Sequence, residues 1–277
     1  MRYVRGPRCG QESLFDVRNC ARSRRRGPDS ARPVSPSPME RNFLPLKRAS
    51  SGNRLLAALP RKDRLQLIAG GEGVDLALSD VLFEPGDRIS HVHFPTTSLI
   101  SLLTPSDGST RLEVGLVGDE GMIGTPVALG VGSSPLQALV QGAGSALRVD
   151  AATFRLELDR SPALRLLLDR YLFVCMTQLA QAAGCVRFHL VEARLARWLL
   201  MTQDRAHSNA FHITHEFLAQ VLGVRRVGVT KAATSLQKLR LIRYSRGDIV
   251  ILDRPGLNAA ACSCYGADRE TYHRVLG

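Results

Sequence analysis

The chain has 277 residues, with 37 Lys and Arg against 25 Asp and Glu, a formal net charge of +12; 44% of it is hydrophobic, 5% aromatic and 22% charged. This is the balance of a soluble globular protein long enough for two domains, not a disulfide scaffold: six cysteines are too few for one. The longest apolar stretches are broken within about a dozen residues, short of the roughly 20 that span a bilayer, so a cytoplasmic protein without a membrane partner is expected. The basic excess points to an acidic partner, nucleic acid first.

The excess is local. Residues 1–38 hold nine Arg and three acids, residues 211–254 hold eight bases and three acids, and residues 39–210 are nearly neutral. The first segment has an Arg run at Arg24-Arg25-Arg26, a Pro-rich end and no apolar periodicity, so residues 1–52 are expected to be a disordered basic extension and lead-in. It lacks the apolar core of a secretory signal. Two readings stand: Met39 is the native start, or the extension is a basic arm that touches DNA.

Order is expected from Asn53, with a short helix capped by Asn53 and stopped by Pro60, then another turn over 61–70. Short stretches follow, punctuated by Gly and Pro: Asp75–Phe83, His91–Pro95, Ser98–Leu103, Thr110–Leu116, Leu136–Gln141 and Ser145–Val149. This predicts an all-β barrel or roll over 53–160, closed by a short helix over 151–158. Ser161-Pro162 starts a long helix over 161–188 with Ser as cap and Pro at the first position. Leu164, Leu168, Tyr171, Cys175, Leu179, Ala182 and Val186 form a coiled-coil-like stripe along it. Apolar residues on its other side suggest a second buried face, one on the roll and one on a second copy of the chain.

The strongest signal lies in residues 211–254, within a domain expected over 189–265 and followed by a tail over 266–277. Thr214 caps a helix over His215–Leu222. Gly223 supplies a positive φ for a tight turn, and a second helix starts near Val224. Leu218, Ala219 and Leu222, with Val224, Val229, Ala232, Ala233, Leu236 and Leu239, are expected inside. Arg225, Arg226, Val227, Thr230 and Lys231 are expected outside. A packed back and a basic start to the second helix is the layout of a helix-turn-helix entering a major groove. A hairpin follows from Leu241 to Leu252, with Arg246 at its tip placed to meet a phosphate. The DNA-binding set is therefore Thr214, Arg225, Arg226, Val227, Thr230, Lys231 and Arg246.

A β-roll, a long helix and a winged helix-turn-helix, in that order over about residues 53–265, resemble the Crp/Fnr family of bacterial transcription regulators. Ile213-Thr214, Leu218-Ala219, Leu222-Gly223-Val224 and Arg194-Leu-Ala-Arg-Trp-Leu-Leu200 carry the likeness best. The resemblance implies an α+β protein with a cyclic-nucleotide-binding-like jelly roll, a homodimer on a near-palindromic promoter site, and contact with RNA polymerase. Family members read bases with a basic residue, a Glu and an Arg; Arg226, Val227 and Lys231 stand at those positions. Val227 cannot accept from cytosine and suits a thymine methyl instead, so a different operator is expected. In cyclic-nucleotide binders a Glu holds the ribose and an Arg the phosphate; Thr125, after Gly124, and Leu136, before Gln137, stand there. These four residues mark an effector pocket, but a cyclic phosphate would be buried with no cation opposite, so cyclic-AMP dependence is not expected.

The cysteine pattern of the family's iron–sulfur sensors is absent. Cys262-Ser-Cys264 alone is too small for a closed metal site, though His273 or another subunit would add ligands; neither metal nor cofactor is expected. Cys175 and Cys185 read as core, His91 and His93 as a pair on one strand face, and Asp119-Glu120 as a solvated turn. No P-loop, Gly-x-Ser-x-Gly, His-Glu-x-x-His or dinucleotide fingerprint occurs, so no enzyme is expected. The alternatives are a redox- or small-molecule-responsive receptor acting through Cys262 and Cys264 or the roll, with DNA contact secondary, and a non-specific binder driven by charge.

Overall fold

The computed structural model describes residues 52–105 and 111–277. The expected basic extension, apart from its last residue, lies outside them. Among the described residues no helix is long and apolar enough to cross a membrane.

The chain enters through α1 (Arg54–Ala57) and α2 (Arg61–Ala69). Asn53 does more than cap α1. Its side-chain oxygen accepts from Leu56 N, while its Nδ2 donates to the carbonyls of Pro95 and Gly121, so a buried amide satisfies both ends. Strands β1 (Gly71–Leu76), β2 (Val81–Phe83), β3 (His91–Pro95), β4 (Leu99–Pro105), β5 (Arg111–Val117), β6 (Gln137–Gly142) and β7 (Gly144–Asp150) form two antiparallel sheets, ordered β1-β7-β3 and β2-β6-β4-β5. The single strand expected over Asp75–Phe83 is two. A tight turn intervenes, with Asp80 Oδ2 accepting from Ala77 N and Ser79 at φ 71°.

Helix α3 (Ala151–Arg160) closes the roll, with Phe154 against Phe94. Asp150 caps it by accepting from Ala152 N and Thr153 N. Helix α4 (Pro162–Phe188) starts as the sequence dictates: Pro162 occupies the first position and Ser161 Oγ accepts from Leu164 N. Phe94, Ile100, Val149, Phe154, Leu164 and Leu168 share one core. Gly121 is required where α4 crosses the roll, because a Cβ there would collide with the Tyr171 hydroxyl. That hydroxyl accepts from Met122 N.

Within one chain the stripe on α4 is buried over its first half only. Leu164, Leu168 and Tyr171 are buried, Cys175 and Ala182 are half-buried, and Leu179 and Val186 are exposed. A strict 3.5-residue repeat drifts around a straight helix of 3.6 residues per turn, and the inner positions move to Val174 and Cys185.

The second domain contains α5 (Val191–Ala206), β8 (Ala210–His212), α6 (His215–Leu222), α7 (Arg226–Lys238), β9 (Ile242–Ser245), β10 (Asp248–Ile251), α8 (Arg254–Ala260) and α9 (Cys264–Leu276). Leu195, Leu199, Leu218, Val229, Leu236, Ile249 and Leu257 make its core. Residues 266–276 are not a tail: they belong to α9, which packs along α4 and is capped by Gly277. The sequence reading missed this because α9 carries its contacts on few apolar residues. Tyr265, Asp268 and Thr271 are its buried positions beyond Cys264.

The junction between the domains overturns another expectation. Asp119 and Glu120 are not a solvated turn; they are 2% and 7% exposed. Glu120 Oε1 accepts from Arg205 Nε at 2.6 Å, with both side chains about nine-tenths buried. Tyr272 on α9 donates to the Glu120 carbonyl at 2.9 Å. Asp119 accepts from Arg54 and lies 3.2 Å from His207 Nε2. Two acids that local sequence places in a turn are held by cations far along the chain. Nearby, Glu113 accepts from Ser101 Oγ at 2.6 Å and from Trp198 Nε1 at 2.8 Å. Burial pushes its carboxyl up to about 7, against the lowering effect of those hydrogen bonds.

Two outcomes follow from the junction. Arg205→Ala leaves Glu120 buried without its cation, so denaturant unfolding should show a loss of about 3–5 kcal/mol, whereas an exposed control such as Arg165→Ala should lose less than about 1 kcal/mol. Glu113 has a folded pKa above its unfolded value, so its contribution is whole below about pH 4.5 and is lost as pH rises through about 7. Between about pH 5 and about pH 8 the parent chain should lose up to about 3 kcal/mol relative to Glu113→Gln; parallel pH profiles would count against this.

Candidate nucleic-acid interface

Thr214 Oγ1 accepts from Phe217 N at 3.2 Å and so caps α6. The helix ends at Gly223, whose φ of 59° places it in the left-handed region and lets α7 start after three residues. Buried Arg194 donates to the Leu222 carbonyl, satisfying an otherwise unpaired end of α6. Val229, Ala232, Ala233 and Leu236 bury one side of α7. Leu239, expected inside, is exposed: α7 ends at Lys238, and Leu239 forms its cap, turned out to solvent.

The opposite side carries the expected set. Arg225 caps α7 by its backbone, and Arg225, Arg226, Val227, Thr230 and Lys231 are all exposed. Positions 226, 227, 230 and 231 recur at helical spacing and so share one face. Val227 is 62% exposed among these cations. Thr230 is less free than the others. Its hydroxyl donates to the Arg226 carbonyl and lies 3.1 Å from His215 Nδ1. Burial first, and the Arg226 charge second, hold His215 below its ordinary value. His215 also packs against Tyr244 in a tilted arrangement, with ring centres 4.5 Å apart and the ring planes at 53°. The hydroxyl of Tyr244 donates to the Ile213 carbonyl, tying the hairpin to the base of α6.

The hairpin is a three-stranded wing, ordered β8-β10-β9. Strand β8 escaped sequence reading because Ala210–His212 is only three residues long. Arg246 and Gly247 form a two-residue loop between the paired Ser245 and Asp248, and both have positive φ, 51° and 92°. This is the turn whose twist matches the strands. It holds Arg246 exposed at the tip. Arg243, exposed on β9, is a further cation the sequence reading did not assign. Alternation with buried Ile242 could have flagged it.

The four effector-pocket residues fare differently. Gly124, at φ 92°, packs on Val92, and a Cβ there would stand 3.0 Å from it. Thr125 opens a short 3-10 helix over Thr125–Leu129. Gln137 is buried, donates to Glu84 and accepts from Arg111. Leu136 is half-buried. Two cavities beside α4 and α5 include none of the four. His91 and His93 have ring centres 6.5 Å apart; His93 is buried, and burial lowers it to about 4. The thiols also depart from expectation. Cys262 and Cys264 are buried beside Cys185 and His189, so His273 is not the residue that joins them.

A family model described as a Crp-like helix-turn-helix domain matches residues 193–260. No curated protein matches the chain. Solved structures do. The c-di-GMP-responsive global regulator CLP of Xanthomonas campestris is 14% identical, with 70% of this chain and 100% of that one covered at a TM-score of 0.59. FixK2 of Bradyrhizobium japonicum is 14% identical, covering 69% and 98% at 0.58. A CRP/FNR-family transcriptional regulator of Thermus thermophilus is 22% identical, covering 69% and 98% at 0.57. Residues 193–260 are a Crp-like helix-turn-helix domain, and the chain has the fold of the Crp/Fnr transcription regulators, a β-domain followed by helices and a C-terminal helix-turn-helix.

Proposed function

We propose that the chain is a cytoplasmic, homodimeric, sequence-specific DNA-binding transcription regulator. The observation that carries this reading is the exposed face of α7, where Arg226, Val227 and Lys231 stand clear of a packed back, together with Arg246 exposed at the tip of the wing that follows. Arg226 and Lys231 are suited to guanine edges or phosphates, Val227 to a thymine methyl, and Arg225 and Arg246 to phosphates. Thr214 positions α6, and Thr230 has its hydroxyl already engaged, so its share is packing.

The homodimer rests on α4. Phe173 and Met176 are 53% and 68% exposed, and Leu166, Leu179 and Val186 are also uncovered. A second copy of α4 would bury this face, and two heads related by a twofold axis suit a near-palindromic site. The β-domain would take an unknown small molecule around Gly124, Thr125, Leu136 and Gln137 or act as a rigid support, and cyclic AMP is disfavoured for want of a cation at Leu136. RNA polymerase is the further partner this reading assigns.

Selection of bound sequences from a random pool tests the reading. One half-site motif, repeated in inverted order, is the expected result; no motif would sink it. Arg226→Ala should relax one base position in each half-site at a cost of about 1–3 kcal/mol, while Arg246→Ala should weaken all sequences together and lower the salt slope by about one. Equal loss on every sequence for both variants would leave only charge-driven binding. Light scattering of a Phe173→Asp/Met176→Asp double variant should give a monomer from a dimeric parent; an unchanged mass would remove α4 from the dimer interface.

A further inference from the structure

Four metal-ligating side chains converge outside the interface. Cys185 and His189 lie one turn apart at the end of α4, and so share a face of it. Cys262 and Cys264 lie at the join of α8 and α9. Cys185 Sγ is 3.6 Å from Cys262 Sγ, Cys264 Sγ is 3.4 Å from His189 Nδ1, and all four donor atoms fall within 4.8 Å of one another. We propose that these residues form a Cys3His site for a single zinc ion that ties the last turn of α4 to the far end of the DNA-binding domain.

The spacing favours one metal ion. Tetrahedral zinc, with Zn–S near 2.3 Å and Zn–N near 2.05 Å, holds two sulfurs about 3.8 Å apart and a sulfur and a nitrogen about 3.6 Å apart. The two close pairs here are within a few tenths of an ångström of those edges. An iron–sulfur cluster puts its own iron and sulfide atoms between its cysteines and spreads them farther. Three thiolates and an imidazole make the closed donor set of structural zinc, with no place left for water.

The surroundings fit a thiolate complex. Gln181 Nε2 donates to Cys264 Sγ at 3.0 Å, an outer hydrogen bond of the kind that orients a ligand. Cys264 is the first residue of α9, a helix of 13 residues, where the positive end of the helix dipole favours negative charge. A zinc ion with three thiolates carries one net negative charge, and Arg194 and Arg197 line a cavity with Cys185. His189 is half-buried, which leaves a way in from solvent. On binding, the three thiols lose their protons to water and no electron is transferred.

The placement gives the ion a mechanical role. His189 caps α4, and the next residue, Leu190, caps α5. Two ligands come from the near side of that join. The other two come after the wing, from the end of the helix-turn-helix domain. A bound ion bridges the join and fixes its angle. The binding claim stands independently of the DNA-binding reading.

The full chain without an affinity tag, purified after growth in zinc-supplemented medium and desalted, should carry about one zinc per chain by mass spectrometry of its metals. After chelation, titration with cobalt(II) should produce the intense visible bands of tetrahedral cobalt and a thiolate-to-metal charge-transfer band, saturating at about one cobalt per chain. Cys262→Ser/Cys264→Ser should lose the zinc and the bands, while Cys175→Ser, outside the cluster, should keep both. A parent chain that holds no zinc and gives no tetrahedral cobalt spectrum overturns the proposal. So does iron–sulfur absorbance, or a Cys185–Cys262 disulfide in protein purified under reducing conditions. Should the double variant not fold, the parent's cobalt titration decides alone: bands support the site and their absence removes it.

Discussion

The contact between Glu120 and Arg205 is what the arrangement of the two domains depends on. A carboxylate and a guanidinium withdrawn from water are costly apart and are tolerated together only in good geometry. Here the geometry is met at 2.6 Å, and Tyr272 adds a hydrogen bond to the same residue's carbonyl. Three parts of the chain therefore meet at one residue: the roll, the first helix of the head and the last helix. A head free to swing would leave both charges unpaired. The pair thus specifies one docking of the head more than it adds net stability, and the contact of Asp119 with His207 at the end of α5 reinforces it on the adjacent residue.

Helix α4 leads from the roll to the head that carries α6 and α7. Its first half belongs to the core of the roll, through Leu164, Leu168 and Tyr171. Its second half receives α9, and its outer side is left apolar and uncovered. A helix anchored in the roll's core at one end and packed along α9 at the other transmits position well, because neither end can shift without disturbing packed side chains. Any effector in the roll would act by favouring one position of this helix over another.

Much of this was legible in the sequence wherever a local rule sufficed. The caps at Asn53, Ser161 and Thr214 and the turn at Gly223 each depend on neighbours within three or four residues, and each forms as read. The exposed face of α7 follows from periodicity alone. What stayed hidden depends on distant partners. Glu120 meets its cation 85 residues away, and Cys185 meets Cys262 after 77. No spacing rule spans such gaps, so a buried acid pair reads as a turn, and Cys262 and Cys264 read as a pair too small for a closed metal site, with Cys185 read as core. Leu239 failed for the opposite reason: periodicity continued on paper beyond the point where the helix ends.

The wing tip shows a compromise. Arg246 sits at φ 51°, where a side chain with a Cβ is strained by about 1–2 kcal/mol and where Asn is better accommodated. An Asn-Gly loop would give the same hairpin with less strain. Arginine at this position lowers the stability of the hairpin and gains a cation held rigidly at its outermost point. Engineering this domain for heat resistance by the usual turn rules would remove that cation first, making a sturdier protein with a blunted wing.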